Sequence, residues 1–298
     1  MTRHLLDIAS LSVHELRHIL DLSVSQTTIA EKPLADKGVA LIFEKPSNRT
    51  RHSMEMAVVA LGGHPVYTRG EEVGFDVRES VEDIARIMAG YHAVLAARVF
   101  SHSVVERMAA VSSVPVVNML SDMSHPLQAL ADIITMEEHC GPISSLTVAW
   151  IGDYNNVARS LGEAVCKLGG NFTLGCPEGY NASPDEIARL QEFGGSVRQS
   201  VDPKEAVAGA HVVHTDTWIS MGQEEESAAR RVIFAPYCVD AALMQNADAN
   251  AKFMHCMPAH RGEEVSAEVF DGASSLVIQQ GHHRLTAARG ALAWVMGK

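Results

Sequence analysis

The 298-residue chain has no apolar run approaching the roughly 20 residues that a bilayer-crossing helix needs, so a spanning role is not expected. It has no surplus of positive charge. Lys and Arg number 24 against 36 Asp and Glu, a formal net charge of -12. That balance argues against a nucleic-acid-binding surface, and any preference for an anionic ligand must come from a few local cations. No C-x-x-C pair is present, and Cys140, Cys166, Cys176, Cys238 and Cys256 are odd in number. Reduced thiols in a cytoplasmic protein are expected rather than a disulfide framework. Residues 1–7 lack the apolar core of a signal peptide, and no low-complexity tract or long linker appears.

What is present is a chain that is 47% hydrophobic and 20% charged, the balance of a globular protein, with length for two domains that each bury a core. Leu11-Ser12-Val13-His14-Glu15-Leu16 reads as a capping box with a hydrophobic staple, opening a helix that carries Leu20 and Val24 inward. From there short apolar runs alternate with helical patterns. Strands are predicted over 39–43, around Val66, over 94–97 and 114–118, with helices from Ser80, Ser103 and Pro126. A second series begins at 146–151, continues near Thr173, Val197 and Val212, and reaches 252–255, with Pro184 and Pro203 as first helical residues. Such alternation predicts right-handed βαβ units and an α/β fold of two doubly wound parallel-sheet domains of similar size joined by helices. The helix over 126–139 stops at Gly141, which places the boundary at 1–141 against 142–281. A last helix is expected over 282–298.

The polar residues of interest fall just past strand ends, where open α/β sheets bind ligands, and one cleft facing both sheets is expected to collect them. Phe43-Glu44-Lys45-Pro46-Ser47-Asn48-Arg49-Thr50-Arg51 follows a buried strand and enters a helix with Met54, Val58 and Leu61 on one face. Ser47, Asn48 and Thr50 then sit at the first turn, where free N–H groups and the helix dipole favour an anion and the arginines add forked donors. A lone S-x-R-x-R fits an N-cap serine beside solvated arginines. Its place directly after a buried strand moves the reading toward a phosphate site.

The run resembles the carbamoyl phosphate motif Ser-Thr-Arg-Thr-Arg of the aspartate/ornithine carbamoyltransferase family, with Asn48 at the usual Thr and Phe-Glu-Lys-Pro in the form typical of its ornithine branch. Other motifs follow in the family's order. Ser124-His125-Pro126-Leu127-Gln128 is by itself a turn with Pro at the first helical position. By resemblance it is the second carbamoyl phosphate motif, with His125 and Gln128 on the carbamoyl group. Arg98 in Ala97-Arg98-Val99-Phe100 matches an arginine that touches phosphate and carbonyl. Gly152-Asp153-Tyr154-Asn155-Asn156 lacks the second glycine of a dinucleotide turn. It resembles Gly-Asp-x-Asn-Asn, in which Asn156 binds the amino-acid substrate. Asp216-Thr217-Trp218-Ile219-Ser220-Met221-Gly222 is chemically compatible with an Asx turn. The same run resembles the signature of ornithine recognition through Asp216, Ser220 and Met221. His255-Cys256-Met257-Pro258-Ala259-His260 lacks a second ligand pair with zinc-finger spacing. It resembles His-Cys-Leu-Pro, which puts Cys256 and Met257 beside the carbamoyl group, with a nucleophilic thiol as the lesser role. Arg284 matches the arginine that opens the last helix, which returns to the first domain. Gly74 stands where relatives carry a glutamine reaching a neighbouring subunit, leaving Arg78 as the candidate for that contact.

The resemblance implies transfer of the carbamoyl group from carbamoyl phosphate to the side-chain amine of ornithine by direct attack, with no metal or organic cofactor. Its implied catalytic residues are Arg98, His125, Cys256 and Asp216, in a homotrimer or multiple of trimers. A sister enzyme acting on putrescine or an acylated ornithine, and a non-catalytic metabolite-binding relative, are the rival readings.

Overall fold

The computed structural model describes residues 2–219 and 224–298, which form two compact units. Unit 1 comprises residues 1–131 and 282–298, and unit 2 comprises residues 132–281. The division falls inside the Pro126–His139 helix rather than after Gly141. The glycine does stop that helix, at a φ of 101°, but the helix contributes residues to both units, so its end and the end of the unit differ.

In unit 1, β1 (Gly38–Phe43), β2 (His64–Arg69), β3 (Val94–Arg98) and β4 (Val116–Leu120) form an all-parallel sheet in the order β2-β1-β3-β4. The central strands β1 and β3 are buried almost throughout, as expected of strands covered on both faces, whereas β2 at the edge is half-exposed. β4 begins after Pro115, later than the run from Val114 suggests, because proline has no N–H for the ladder. Val13–Val24 is a helix whose Ser12 and Glu15 form the reciprocal capping box. The Asn48–Ala60 helix ends as the sequence indicates, with Gly62 at a φ of 86°.

In unit 2, β5 (Thr147–Ile151), β6 (Asn171–Gly175), β7 (Ser196–Ser200), β8 (Val212–Thr215) and β9 (Lys252–His255) form a second parallel sheet, ordered β7-β6-β5-β8-β9. The topology reverses beside β5, as in doubly wound sheets, so the residues after β5 and β8 open a crevice at the carboxyl edge. The core on one face packs Ala149, Ile151, Val213 and Phe253 against Val207, Tyr237, Leu243 and Phe270.

The last helix runs over Val277–Val295, beginning well before His282. Gly281 lies within the helix with open space around its Cα, an interior glycine tolerated at about 1 kcal/mol relative to alanine.

Candidate functional site

Unit 1 gathers its polar residues at the carboxyl ends of β1, β3 and β4. Ser47 is the N-cap of the Asn48–Ala60 helix, in extended conformation, and its Oγ accepts the Thr50 N–H at 3.4 Å and donates to Thr50 Oγ1 at 3.0 Å. Two guanidinium groups from distant parts of the chain reach the same hydroxyl. Arg98 Nη1 lies 3.4 Å from Thr50 Oγ1 and Arg284 Nη2 lies 3.0 Å from it. Arg284 also donates to Gln128 Oε1. Both arginines are nearly buried, at 7% and 5% exposure, so two positive charges stand at a helix N-terminus out of bulk water. The β3–β4 register shifts between Ala97 and Arg98, just before the guanidinium-bearing residue.

The field they create is visible in the neighbouring bases. His125 is held well below the ordinary histidine range, first by burial and then by the charges of Arg284 and Arg98. Lys45, whose Nζ sits 4.4 Å over the Phe100 ring, is lowered by burial and by Arg98. The loop carrying His125 is braced from beneath: Ser121 Oγ accepts from Asn118 Nδ2 at 3.1 Å and from Ser124 N at 3.2 Å. Arg49, half-buried in the first turn, makes no hydrogen bond or ion pair among the described residues, and Asn48 is exposed beside it. This cluster can hold a small dianion, with an imidazole kept toward its neutral form beside it.

Unit 2 builds a cluster of opposite sign. Asp216 follows β8, and its Oδ2 accepts from Asn155 Nδ2 at 2.9 Å while its Oδ1 accepts from the Thr217 N–H at 2.8 Å and from Cys256 Sγ at 2.9 Å. Asn155 is also the N-cap of the Asn156–Lys167 helix, its Oδ1 accepting from Val157 N and Ala158 N. Asn156 is the first residue of that helix. Met257, next to Cys256, has a φ of 63° and precedes Pro258 through a cis bond. Ser220 and Met221 lie outside the described residues. A carboxylate flanked by amide and thiol suits a cationic amine.

The carbamoyl phosphate residues read from sequence therefore divide. Ser47, Asn48, Arg49, Thr50, Arg98, His125, Gln128 and Arg284 belong to unit 1, and Cys256 and Met257 stand beside Asp216 in unit 2. Arg78 folds back on its own loop, packing over Gly74 and donating to Glu72 O at 3.1 Å. Sequence reasoning placed Asn155 past a strand end but gave it no role of its own, since its partner follows another strand, and it did not single out Arg230. The buried Arg230 donates to Trp218 O at 2.6 Å and pairs with Asp153, while its guanidinium stacks on Tyr180 and Phe234. Local pattern carries no signal for either contact.

The ligand atoms of Asp216, His255 and Cys256 lie close enough to suggest a metal site. His255 is already committed, however. Its Nδ1 accepts the Met257 N–H at 2.8 Å, so the proton resides on Nε2, which faces Glu264 Oε1 at 3.1 Å. Neither ring nitrogen retains a lone pair for a cation, and the donor set fits a protein-internal network better than a metal centre.

Two family models match the chain. The carbamoyl-P binding domain of the aspartate/ornithine carbamoyltransferases covers residues 3–138, and their Asp/Orn binding domain covers residues 144–295. An ornithine carbamoyltransferase of Rhizobium meliloti is 43% identical over 302 residues, spanning 100% of this chain and 99% of the relative. Among solved structures, the ornithine carbamoyltransferase from Pyrococcus furiosus superposes with a TM-score of 0.95 at 41% identity, covering 99% of this chain and 97% of that one. The Thermus thermophilus ornithine carbamoyltransferase gives 0.90 at 39%, covering 99% of each.

Proposed function

The chain belongs to the aspartate/ornithine carbamoyltransferase family, and from that premise we propose that it transfers the carbamoyl group of carbamoyl phosphate to the side-chain amine of L-ornithine, giving L-citrulline and phosphate. The observation that carries this reading is the convergence of Arg98 and Arg284 on the Thr50 hydroxyl, at the start of a helix and beside a neutral His125. It is an arrangement that suits a phosphoryl group, with two buried guanidinium groups and a helix start turned to one point.

Carbamoyl phosphate takes the unit 1 cluster. Ser47, Asn48, Arg49 and Thr50 receive the phosphate, and Arg98, His125, Gln128 and Arg284 orient the carbamoyl group. Ornithine takes the unit 2 cluster, its α-amine on Asp216 and its backbone near Asn156, Ser220 and Met221, with Cys256 and Met257 beside the transferred group. In solution the side-chain amine has a pKa near that of lysine, about 10.4, so presenting it neutral at pH 7 costs about 4 to 5 kcal/mol unless the site assists. Arg49, Arg98 and Arg284 supply that assistance by disfavouring another cation. The neutral amine attacks the carbamoyl carbon, the C–O bond to phosphate breaks, and the leaving phosphate takes the proton the amine gives up. Charge on the carbonyl oxygen meets Arg98, His125 and the Thr50 hydroxyl, an oxyanion-hole role.

A free amino acid fits this site better than the rival amines. Putrescine has no α-amine and α-carboxylate for the unit 2 donors and acceptors, and an acylated ornithine has no α-ammonium for Asp216. We further take the chain to act as a homotrimer in the cytoplasm and to serve arginine biosynthesis, readings that rest on the family. Met56, Val59 and Val66, exposed on the Asn48–Ala60 helix and the β2 edge, give a trimer an apolar surface to cover. Among the described residues no helix is long and apolar enough to cross a membrane. The deciding experiment is turnover of carbamoyl phosphate with ornithine, putrescine, N-acetylornithine and aspartate in parallel, scored by product detection. Citrulline from ornithine at the highest kcat/KM is expected, preference for another amine would overturn the substrate, and no turnover with any would leave the non-catalytic reading standing.

A further inference from the structure

Behind the unit 2 cluster lies a buried polar network outside the proposed substrate contacts. Gln280, 1% exposed in the Val277–Val295 helix, meets Asp132 and His214, both fully buried. Its Oε1 accepts the His255 N–H at 2.8 Å. That bond fixes the orientation of the amide, so Nε2 is the donor. Nε2 then serves Asp132 Oδ1 at 2.7 Å and His214 Nε2 at 3.0 Å. With the amide donating into His214 Nε2, which also lies 3.4 Å from Asp132 Oδ2, the ring proton is assigned to Nδ1, 3.1 Å from Thr215 O. Trp150 stacks on the other side of the ring, with centroids 5.1 Å apart, and holds its plane.

The consequence concerns the residues immediately downstream. Thr215 and His255 are partners at the last rung of the β8–β9 ladder, and Asp216 and Cys256 are the next residues on each strand. Past that rung no backbone pairing among the described residues sets their separation, yet Cys256 Sγ lies 2.9 Å from Asp216 Oδ1. Gln280 bonds to both strand ends at once, to β9 through the His255 amide and to β8 through the His214 ring and the Thr215 carbonyl. A single planar amide with one acceptor and two donors is needed. Glutamate lacks the donors, methionine lacks both, and asparagine is one methylene short.

We infer that Gln280 is a positioning residue for ornithine, setting the spacing of Asp216 and Cys256 by tying together the ends of β8 and β9 while Asp132 holds the amide in place. The inference rests on the proposed reading of Asp216 and Cys256 as the ornithine site. It assigns Gln280 no contact with either substrate.

The test is Gln280→Met, with Gln280→Asn as a milder variant that keeps the polar group and folds if the methionine does not. Kinetics in both substrates are paired with the rate of Cys256 alkylation by iodoacetamide, followed by peptide mass spectrometry so that the other cysteines are resolved. For a displaced substrate contact the expected loss in kcat/KM for ornithine is about tenfold to 100-fold, with KM for carbamoyl phosphate within about twofold of the unaltered chain. Cys256 should alkylate severalfold faster once its S–H is no longer held by the Asp216 carboxylate. A folded variant with unaltered ornithine kinetics and unaltered alkylation overturns the inference. So does a loss spread equally over both substrates with alkylation unchanged, which is what a merely structural role would give. If the unaltered chain makes no citrulline but Cys256 still responds to Gln280, the substrate assignment fails while the tie between strands stands. If it makes citrulline and neither variant differs from it, only the inference fails.

Discussion

The electrostatics of His125 separate two explanations of how activity should depend on pH. At its ordinary value of 6.5 a histidine is about three-quarters charged at pH 6, and a catalytic imidazole of that kind would impose its own acid limb. His125 is pushed well below that value by burial and by Arg284 and Arg98, so it stays neutral across the working range. The acid limb then belongs to the ornithine amine, whose neutral fraction falls about tenfold per pH unit below its own pKa. Under conditions where chemistry limits, kcat/KM for ornithine should drop about 100-fold between pH 8 and pH 6. His125→Gln, which removes one donor to the carbonyl oxygen, should lower the whole profile by about 100-fold to 1,000-fold without changing its shape. Initial rates of citrulline formation at half-unit pH steps for both proteins make the comparison. A variant profile that flattens between pH 6 and pH 7 would show that His125 is itself the titrating base and would refute the reasoning.

The same histidine predicts a stability effect. Its folded pKa lies below the unfolded 6.5, so the unfolded chain binds the extra proton first. The contribution is complete above about pH 6.5 and is lost progressively as the pH falls below it. His125→Gln should therefore lose less stability than the unaltered chain between pH 7 and pH 5 in urea denaturation, and equal losses would count against it. Thr50→Val removes the hydroxyl shared by Arg98 and Arg284, and it should raise KM for carbamoyl phosphate at least about tenfold and destabilise unit 1 by about 1–3 kcal/mol. Unchanged saturation by carbamoyl phosphate would remove that hydroxyl from the site. Asn155→Ala deletes both a helix cap and a partner of Asp216, so a loss of about 0.5–2 kcal/mol should accompany a rise in KM for ornithine larger than that for carbamoyl phosphate. A Cβ on Gly290 would sit 1.9 Å from Ser23 Oγ and 2.6 Å from Ile19 O, and Gly290→Ala should lower the thermal midpoint of unit 1 through overpacking of about 1–3 kcal/mol.

The strands were legible where burial on both faces writes continuous apolar runs, as in β1 and β3, and the helix starts where Ser12, Ser183 or Asp202 cap and Glu follows. Strand ends with odd polar residues pointed to Ser47, Arg98, His125 and Asp216 for the same reason: a buried sheet leaves its chemistry to the loops. Contacts between elements left no local trace. Arg230 looks like any helical arginine, and Gln280 like any polar residue near the start of a helix, because their partners are set by packing. The start of the last helix was placed at His282 rather than Val277, since Gly281 sits inside it with no side chain packed on it.

The two clusters also answer how an acidic chain sorts its ligands. A net charge of -12 repels a phosphate dianion over most of the surface, and salt reduces that repulsion to about 8 Å at physiological strength. Binding must then be decided within hydrogen-bond reach, where Arg98 and Arg284 are nearly buried and Asp216 is held by Asn155 and the thiol of Cys256. An amine placed in unit 1 meets guanidinium charge, and a phosphate placed in unit 2 meets a carboxylate. On the proposed assignment each cluster would reject the other's ligand by the same charge that accepts its own. Neutralising Asp216 as Asp216→Asn should accordingly do more than weaken ornithine. It should also let inorganic phosphate compete against ornithine, a pattern of inhibition not expected of the unaltered chain at the unit 2 cluster. Product-inhibition kinetics read this directly, and phosphate that remains purely competitive with carbamoyl phosphate in the variant would mean that shape, rather than charge, keeps the ligands apart.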